Sequence, residues 1–294
     1  MRQAQSRLRP LPGSGFMRCA PCKRRAPCTG FSVPDRPLLS QPVKSQPPIK
    51  VISLTRMPER RAEFQRRNRG LAFEFVDAVD GSTLAEEALA AGGLFPPGID
   101  YTSGARGAAL SHLKLWDEAI ATGQPLTVAE DDAVFRPDFA AMQAELLAGL
   151  APGWDLVLWG YNFDSVLSFW LPFGLRTVLW FDNSQVRTAL ARLAGDSGRP
   201  QLYRLEFSFG LPAYSISPAG ARRFKAGCFP LRDFTRNYPL VPKPVRNFGI
   251  DVAMNQVHAL AGAHVCFPPL AITPNERATS TTHVDGAMAR RDAP

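Results

Sequence analysis

Residues 49–79 set the fold class. Residues 49–54 form a short apolar run suited to a buried strand, and Pro58 then stands at a favoured first helical position. The Arg-rich helix it opens can end at Gly70. Residues 71–79 alternate through Leu71, Phe73, Phe75 and Asp77, as a second strand would. Strand, helix, strand in so short a span is the unit from which parallel sheets are built.

The same grammar continues. Leu110, Leu113, Trp116 and Ile120 recur at helical spacing until Gly123 and Pro125 close the helix. Strands are expected at 126–129, 155–160, 211–217 and 264–267, with a helix at about 138–150. Ser217 and Pro218 cap a helix that Gly227 ends, and residues 251–261 form a last one. Residues 228–248, with many prolines and aromatics, read as a long ordered loop. There is no internal repeat. The expectation is an α/β domain with a mostly parallel central sheet.

Charge separates a tail from this domain. The chain has 294 residues and a formal charge of +8, yet residues 1–48 alone carry nine basic side chains against Asp35. Everything after them is electrically balanced, so the basic pI is no sign that the folded part binds nucleic acid. Nine prolines and no apolar periodicity make residues 1–48 an expected disordered tail, lacking the apolar stretch of a secretory signal. Cys19, Cys22 and Cys28 have no second pair or His at zinc-ligand spacing, and five cysteines in all do not suit a disulfide framework. A flexible terminus is expected at 286–294. The most apolar region, 154–181, has no uncharged run longer than the 11 residues from Ser165 to Leu175, about half of the roughly 20 that a span requires.

Glu130, Asp131 and Asp132 stand in a row at the end of an expected strand. Three successive carboxylates repel one another unless a cation or a water-filled cleft balances them, and ligands of open α/β sheets lie at such strand ends. A solvated acidic turn is the alternative reading.

The run Gly104-Ala-Arg-Gly-Ala-Ala-Leu-Ser-His-Leu-Lys-Leu-Trp116, followed by Leu126-Thr-Val-Ala-Glu-Asp-Asp-Ala-Val134, closely resembles glycosyltransferase family 25. Three further segments resemble it in order: Ile49-Lys-Val-Ile-Ser-Leu-Thr-Arg-Met-Pro-Glu-Arg-Arg61, Phe75-Val-Asp-Ala-Val-Asp-Gly81 and Gly210-Leu-Pro-Ala-Tyr-Ser-Ile-Ser-Pro-Ala-Gly-Ala221. The resemblance spans about residues 49–285. It implies a GT-A-like Rossmann-type fold, a nucleotide-diphospho-sugar donor with UDP-galactose as the first guess, a Mn²⁺ or Mg²⁺ ion, and inversion at the anomeric carbon. The implied acceptor is a glycan or glycolipid of the cell envelope, such as lipopolysaccharide, reached from the cytoplasmic side with a peripheral membrane contact. A catalytically silent nucleotide-sugar or glycan binding domain is the rival.

The resemblance also distributes roles. Glu130 and Asp132 stand where the family has a D-x-D-like metal motif, and Asp131 is left for the sugar or ribose. Asp251 matches a late family Asp and is nominated as base, although an Asp there also suits a helix cap. Asp233 and Asp155 are reserves. His112, of a Ser111-His112 pair, is expected near the donor, against the reading of an interior His beside Leu110 and Leu113. Arg56 and Arg60 reach towards the diphosphate, or belong to a solvated helix face with Arg61, Arg66, Arg67 and Arg69. Tyr214 is assigned to the core. Ala108 replaces a common family Cys, and Ala129 a usual Leu. An aromatic insertion at about 161–204, with Trp170, Phe173, Trp180 and Phe181, has no family counterpart. It is either an acceptor or membrane platform or is buried against the sheet.

Overall fold

The fold is that of a computed structural model, which describes residues 46–85, 89 and 92–274. The expected tail up to residue 45, with its three cysteines, and the expected flexible terminus lie outside the described residues. The last tail residues belong to the domain instead. Pro47 is buried, and the Pro48 carbonyl accepts the Thr127 amide at 2.9 Å.

The chain opens as strand β1 (Ile49–Ser53), helix α1 (Pro58–Arg67) and strand β2 (Glu74–Asp77), with β1 and β2 parallel. Helix α1 buries only Phe64, whose ring meets those of Phe73, Phe75 and Phe135 edge-on. Helix α2 (Ser103–Thr122) begins where the Thr102 side chain accepts the Ala105 amide, and it stops at Gly123, left-handed with φ 66°. Then come β3 (Leu126–Glu130), β4 (Val134–Phe135), α3 (Phe139–Ala148) and β5 (Leu156–Gly160). The expected insertion forms β6 (Val166–Trp170), β7 (Arg176–Trp180), α4 (Val186–Leu193) and the start of β8 (Gln201–Phe207). The chain continues through β9 (Ala213–Ile216), α5 (Pro218–Cys228), β10 (Thr235–Arg236), β11 (Val245–Arg246), α6 (Ile250–His258), β12 (Ala263–Phe267) and β13 (Ala271–Ile272).

Nine strands form one sheet in the order β2-β1-β3-β9-β5-β12-β8-β6-β7. In its core β2, β1, β3, β5 and β12 run one way, and β9 lies reversed between β3 and β5. Both faces are covered. Leu156 and Leu158 enter one apolar cluster while Val157 and Trp159 enter the other, as the two-residue period of a strand dictates. A buried polar knot pins the reversed strand. Gln143 Nε2 donates to Thr127 Oγ1 and Ser215 Oγ at 2.6 and 3.0 Å, and Trp159 Nε1 donates to Ser215 Oγ at 2.7 Å. A one-residue slip of β9 would orphan these groups, so the knot fixes register as well as adding strength.

The insertion extends the sheet edge with strands of opposite sense. Buried Arg136 ties its far end to the domain, donating to the Gly198 carbonyl at 2.7 Å and to Asp138 and Asp196. Phe169 is buried and Phe181 stacks on Tyr161, whereas Phe173 and Trp180 are 77% and 68% exposed. Burial against the sheet therefore accounts for part of the insertion, and Phe173 and Trp180 remain on its surface. The expected loop at 228–248 carries the small β10–β11 ribbon. No helix among the described residues is long and apolar enough to cross a membrane.

His258 lies in the core under α5, edge-on to Phe224, with neither ring nitrogen partnered among the described residues. Burial lowers its pKa to about 3. An unfolded His binds a proton below about pH 6.5, and the folded one does not until far lower, so stability rises with pH across that window and is lost on acidification. His258→Leu should remove about 2 kcal/mol of the stability difference between pH 7.5 and pH 5 in urea titrations. An unchanged difference would show that His258 takes up its proton alike in the native and unfolded chains.

Candidate active site

A cleft opens at the carboxyl ends of β1, β3 and β5, where the residues just before the reversed β9 also arrive. It is lined on one side by Arg56, Arg60 and residues 78–82, on another by the first turns of α2, and at its floor by the acidic triplet. Asn162, Gly210 and residues 248–251 complete it.

The three acids have three different environments. Asp131 is buried and fully engaged: Ser53 Oγ donates to Oδ2 at 2.7 Å, and Arg60 Nε donates to Oδ1 at 2.8 Å. Both oxygens thus accept from protein groups, and Asp131, expected at the sugar or ribose, also lines the cleft. Asp132 accepts one bond, from Thr273 Oγ1 to Oδ2 at 2.9 Å, and its other oxygen is buried without a partner among the described residues. Burial and then Glu130 push its pKa up to about 6. Glu130 ends β3 and lines the cleft with a side chain 40% exposed. Burial, then Asp251 and Asp131, raise its pKa.

Helix α2 is clamped to the 78–82 loop. Ser111 Oγ accepts the Val79 amide at 2.9 Å and donates to the Gly107 carbonyl at 2.7 Å. A Cβ on Gly107 would lie 2.4 Å from the Val79 carbonyl oxygen, so only glycine permits this approach. The clamp aims the N-terminal turns of a 20-residue helix into the cleft, where backbone N–H groups and the helix dipole favour an anion. Ser111 is thus a structural member of the Ser-His pair. His112 is buried yet borders the cleft, with Nε2 3.6 Å from Glu130 Oε1. Burial lowers its pKa to about 4.

Asp251 lies inside the first turn of α6, one residue after Ile250, and not at the cap, which is Gly249. Its Oδ2 accepts the Gly210 amide and its Oδ1 the Val252 amide, each at 2.9 Å. Gly210 is left-handed (φ 78°) and packs on Asn162, which brings its amide to Asp251. Arg56 borders the cleft and pairs with Asp80 at 2.5 Å. The two reserve acids lie elsewhere: Asp233 is held by Arg246 through two 2.7 Å bonds, and Asp155 accepts the Gly262 amide. Ser53, Thr273 and Asn162 were not singled out from sequence, and Trp116 was read as an apolar position of its helix. Ser53, as the last residue of β1, could have been found from its strand-end position.

No group of three or more His, Cys, Asp or Glu among the described residues forms a complete metal cage. The oxygen donors at Glu130 and Asp132, with a buried Asp132 oxygen lacking a partner among the described residues, fit a hard divalent ion that completes its shell with further oxygen ligands.

The family profile of glycosyltransferase family 25 (LPS biosynthesis protein) matches residues 46–227. Among similar proteins, a glycosyltransferase 25 family member of Aedes aegypti is 37% identical over 38% of this chain and 21% of its own length. The inactive glycosyltransferase 25 family member 3 of Mus musculus is 30% identical over 65% of this chain and 32% of its own. Its Homo sapiens namesake is 30% identical over 60% of this chain and 28% of its own. The chain thus spans about a third or less of the length of these relatives.

The contrast between neighbouring acids is testable. Asp131→Ala removes the buried carboxylate that pairs with Arg60 and should cost about 3 kcal/mol of stability in denaturant titrations. Asp132→Ala removes a half-partnered carboxylate and should change stability by less than about 1 kcal/mol in metal-free buffer. Equal losses would mean that the acids share one structural role.

Proposed function

Because the chain belongs to glycosyltransferase family 25, we propose that it transfers a hexose from a nucleotide-diphospho-sugar to a cell-envelope oligosaccharide, with inversion. The observation that carries this reading is the cleft itself, in which Asp132 with Glu130, a helix N-terminus and Asp251 converge on one space. UDP-galactose is the donor we favour. The family's description as an LPS biosynthesis protein points to a lipopolysaccharide-type acceptor. The buried free thiols Cys228 and Cys266 suit a cytoplasmic site of action.

Asp132, with Glu130, would hold Mn²⁺ or Mg²⁺, which when bound neutralises charge on the leaving nucleoside diphosphate. The N-terminal turns of α2 and Arg56 offer the diphosphate further positive potential. Asp251 accepts the proton of the attacking acceptor hydroxyl. Its two backbone hydrogen bonds fix the carboxylate in place and leave each oxygen a lone pair for that proton. The exposed Phe173, Leu175 and Trp180 of the β6–β7 hairpin supply the apolar surface for a lipid-linked acceptor or its membrane.

A silent nucleotide-sugar binding domain is the second reading, favoured by the word inactive in the names of the mouse and human relatives. Hydrolysis of UDP-galactose with Mn²⁺ separates the two. Asp251→Asn should lower kcat by about 10² to 10⁴ with little change in KM, and Asp132→Ala should abolish stimulation by Mn²⁺. Calorimetric binding of UDP-galactose without turnover over an acceptor panel would establish the silent domain.

A further inference from the structure

His112 and Trp116 lie four residues apart on one face of α2, and both rings reach the hydroxyl of Tyr214 on β9. Trp116 Nε1 donates to that oxygen at 2.8 Å, and His112 Nδ1 lies 2.9 Å from it. All three side chains are buried. Trp116 Nε1 can only donate, so the phenolic proton must find an acceptor elsewhere. His112 Nδ1 is the acceptor within reach among the described residues. If Nδ1 carried a proton, two N–H groups would point at one oxygen and the phenolic hydrogen would be buried without a partner. The arrangement that satisfies every group leaves Nδ1 bare and places the imidazole proton on Nε2.

We propose that Tyr214 and Trp116 are positioning residues that hold His112 as its Nε2–H tautomer, so that the ring meets the cleft as a fixed hydrogen-bond donor beside Glu130. The tautomer follows from the proton inventory alone, and its part in catalysis rests on the glycosyltransferase reading. With its one lone pair committed to Tyr214, His112 cannot take the acceptor proton, which leaves that task to a carboxylate. Its N–H faces Glu130 Oε1 at 3.6 Å and is available to an oxygen of the bound nucleotide sugar. Near-parallel packing of the His112 and Tyr214 rings, at 26°, holds this direction.

The test is nitrogen NMR at pH 7 on the full chain labelled with ¹⁵N-histidine. The chain has four histidines, and the His112 signals are those lost in His112→Gln. The wild type should show a bare Nδ1 and a protonated Nε2. Tyr214→Phe should convert this to a mixture of tautomers and lower kcat for UDP-galactose hydrolysis roughly tenfold, with KM unchanged. Should Tyr214→Phe fail to fold by circular dichroism, Tyr214→Met, which likewise removes the hydroxyl, serves instead, and the tautomers should again mix. A protonated Nδ1 in the wild type, or an unchanged tautomer in the folded variant, overturns the proposal. Absence of UDP-galactose turnover in every protein would count against the glycosyltransferase reading and leave the tautomer, read from the nitrogen shifts, standing.

Discussion

The ion pair between Arg60 and Asp131 is the interaction on which the acidic turn depends. Three adjacent carboxylates at a strand end would otherwise repel one another in a poorly hydrated place. Arg60 comes from α1, so the first strand-helix-strand unit exists partly to deliver that one cation. With Asp131 neutralised and anchored to Ser53, its neighbours on either side are held in place while still acidic. The middle residue is spent on structure, and the outer two carry fewer protein contacts.

The sheet was legible in the sequence wherever punctuation was strong. Pro58, Gly123, Ser217 with Pro218, and the apolar runs beside them located β1, α1, α2, β3 and α5 to within a few residues. The three strands β6 to β8 were not seen. Pro172 and Gly174 do mark the turn between β6 and β7, but β6 is buried at nearly every residue and β7 is exposed at its two ends alone, so neither shows the apolar-polar alternation of a half-buried strand. The reversal of β9 was equally hidden, because a buried strand reads alike in either direction.

At the site, the residue types were readable but their division of labour was not. Read through the resemblance to glycosyltransferase family 25, the sequence placed His112, Arg60, the triplet and Asp251 together. It could not tell that Asp131 is an anchor, that Ser111 fastens a loop, or that Asp233 is paired with Arg246 in a distant ribbon. Those assignments depend on contacts between residues 32 to 78 positions apart, and one of 13 across a hairpin, which no local pattern encodes. Tyr214 shows the limit best. It was assigned to the core and it is in the core, yet its hydroxyl also governs the face of a residue that borders the cleft.

The close seating of Gly107 against Val79, locked by Ser111, has a mechanical consequence. Loop 78–82 and helix α2 form one stiff wall with no spare space between them, so a ligand meets it as a template already in shape. The far end of the cleft is fastened to the same wall, since the buried Tyr101 hydroxyl just before α2 donates to Asn247 Oδ1 at 2.9 Å and so ties down the segment that leads into Asp251.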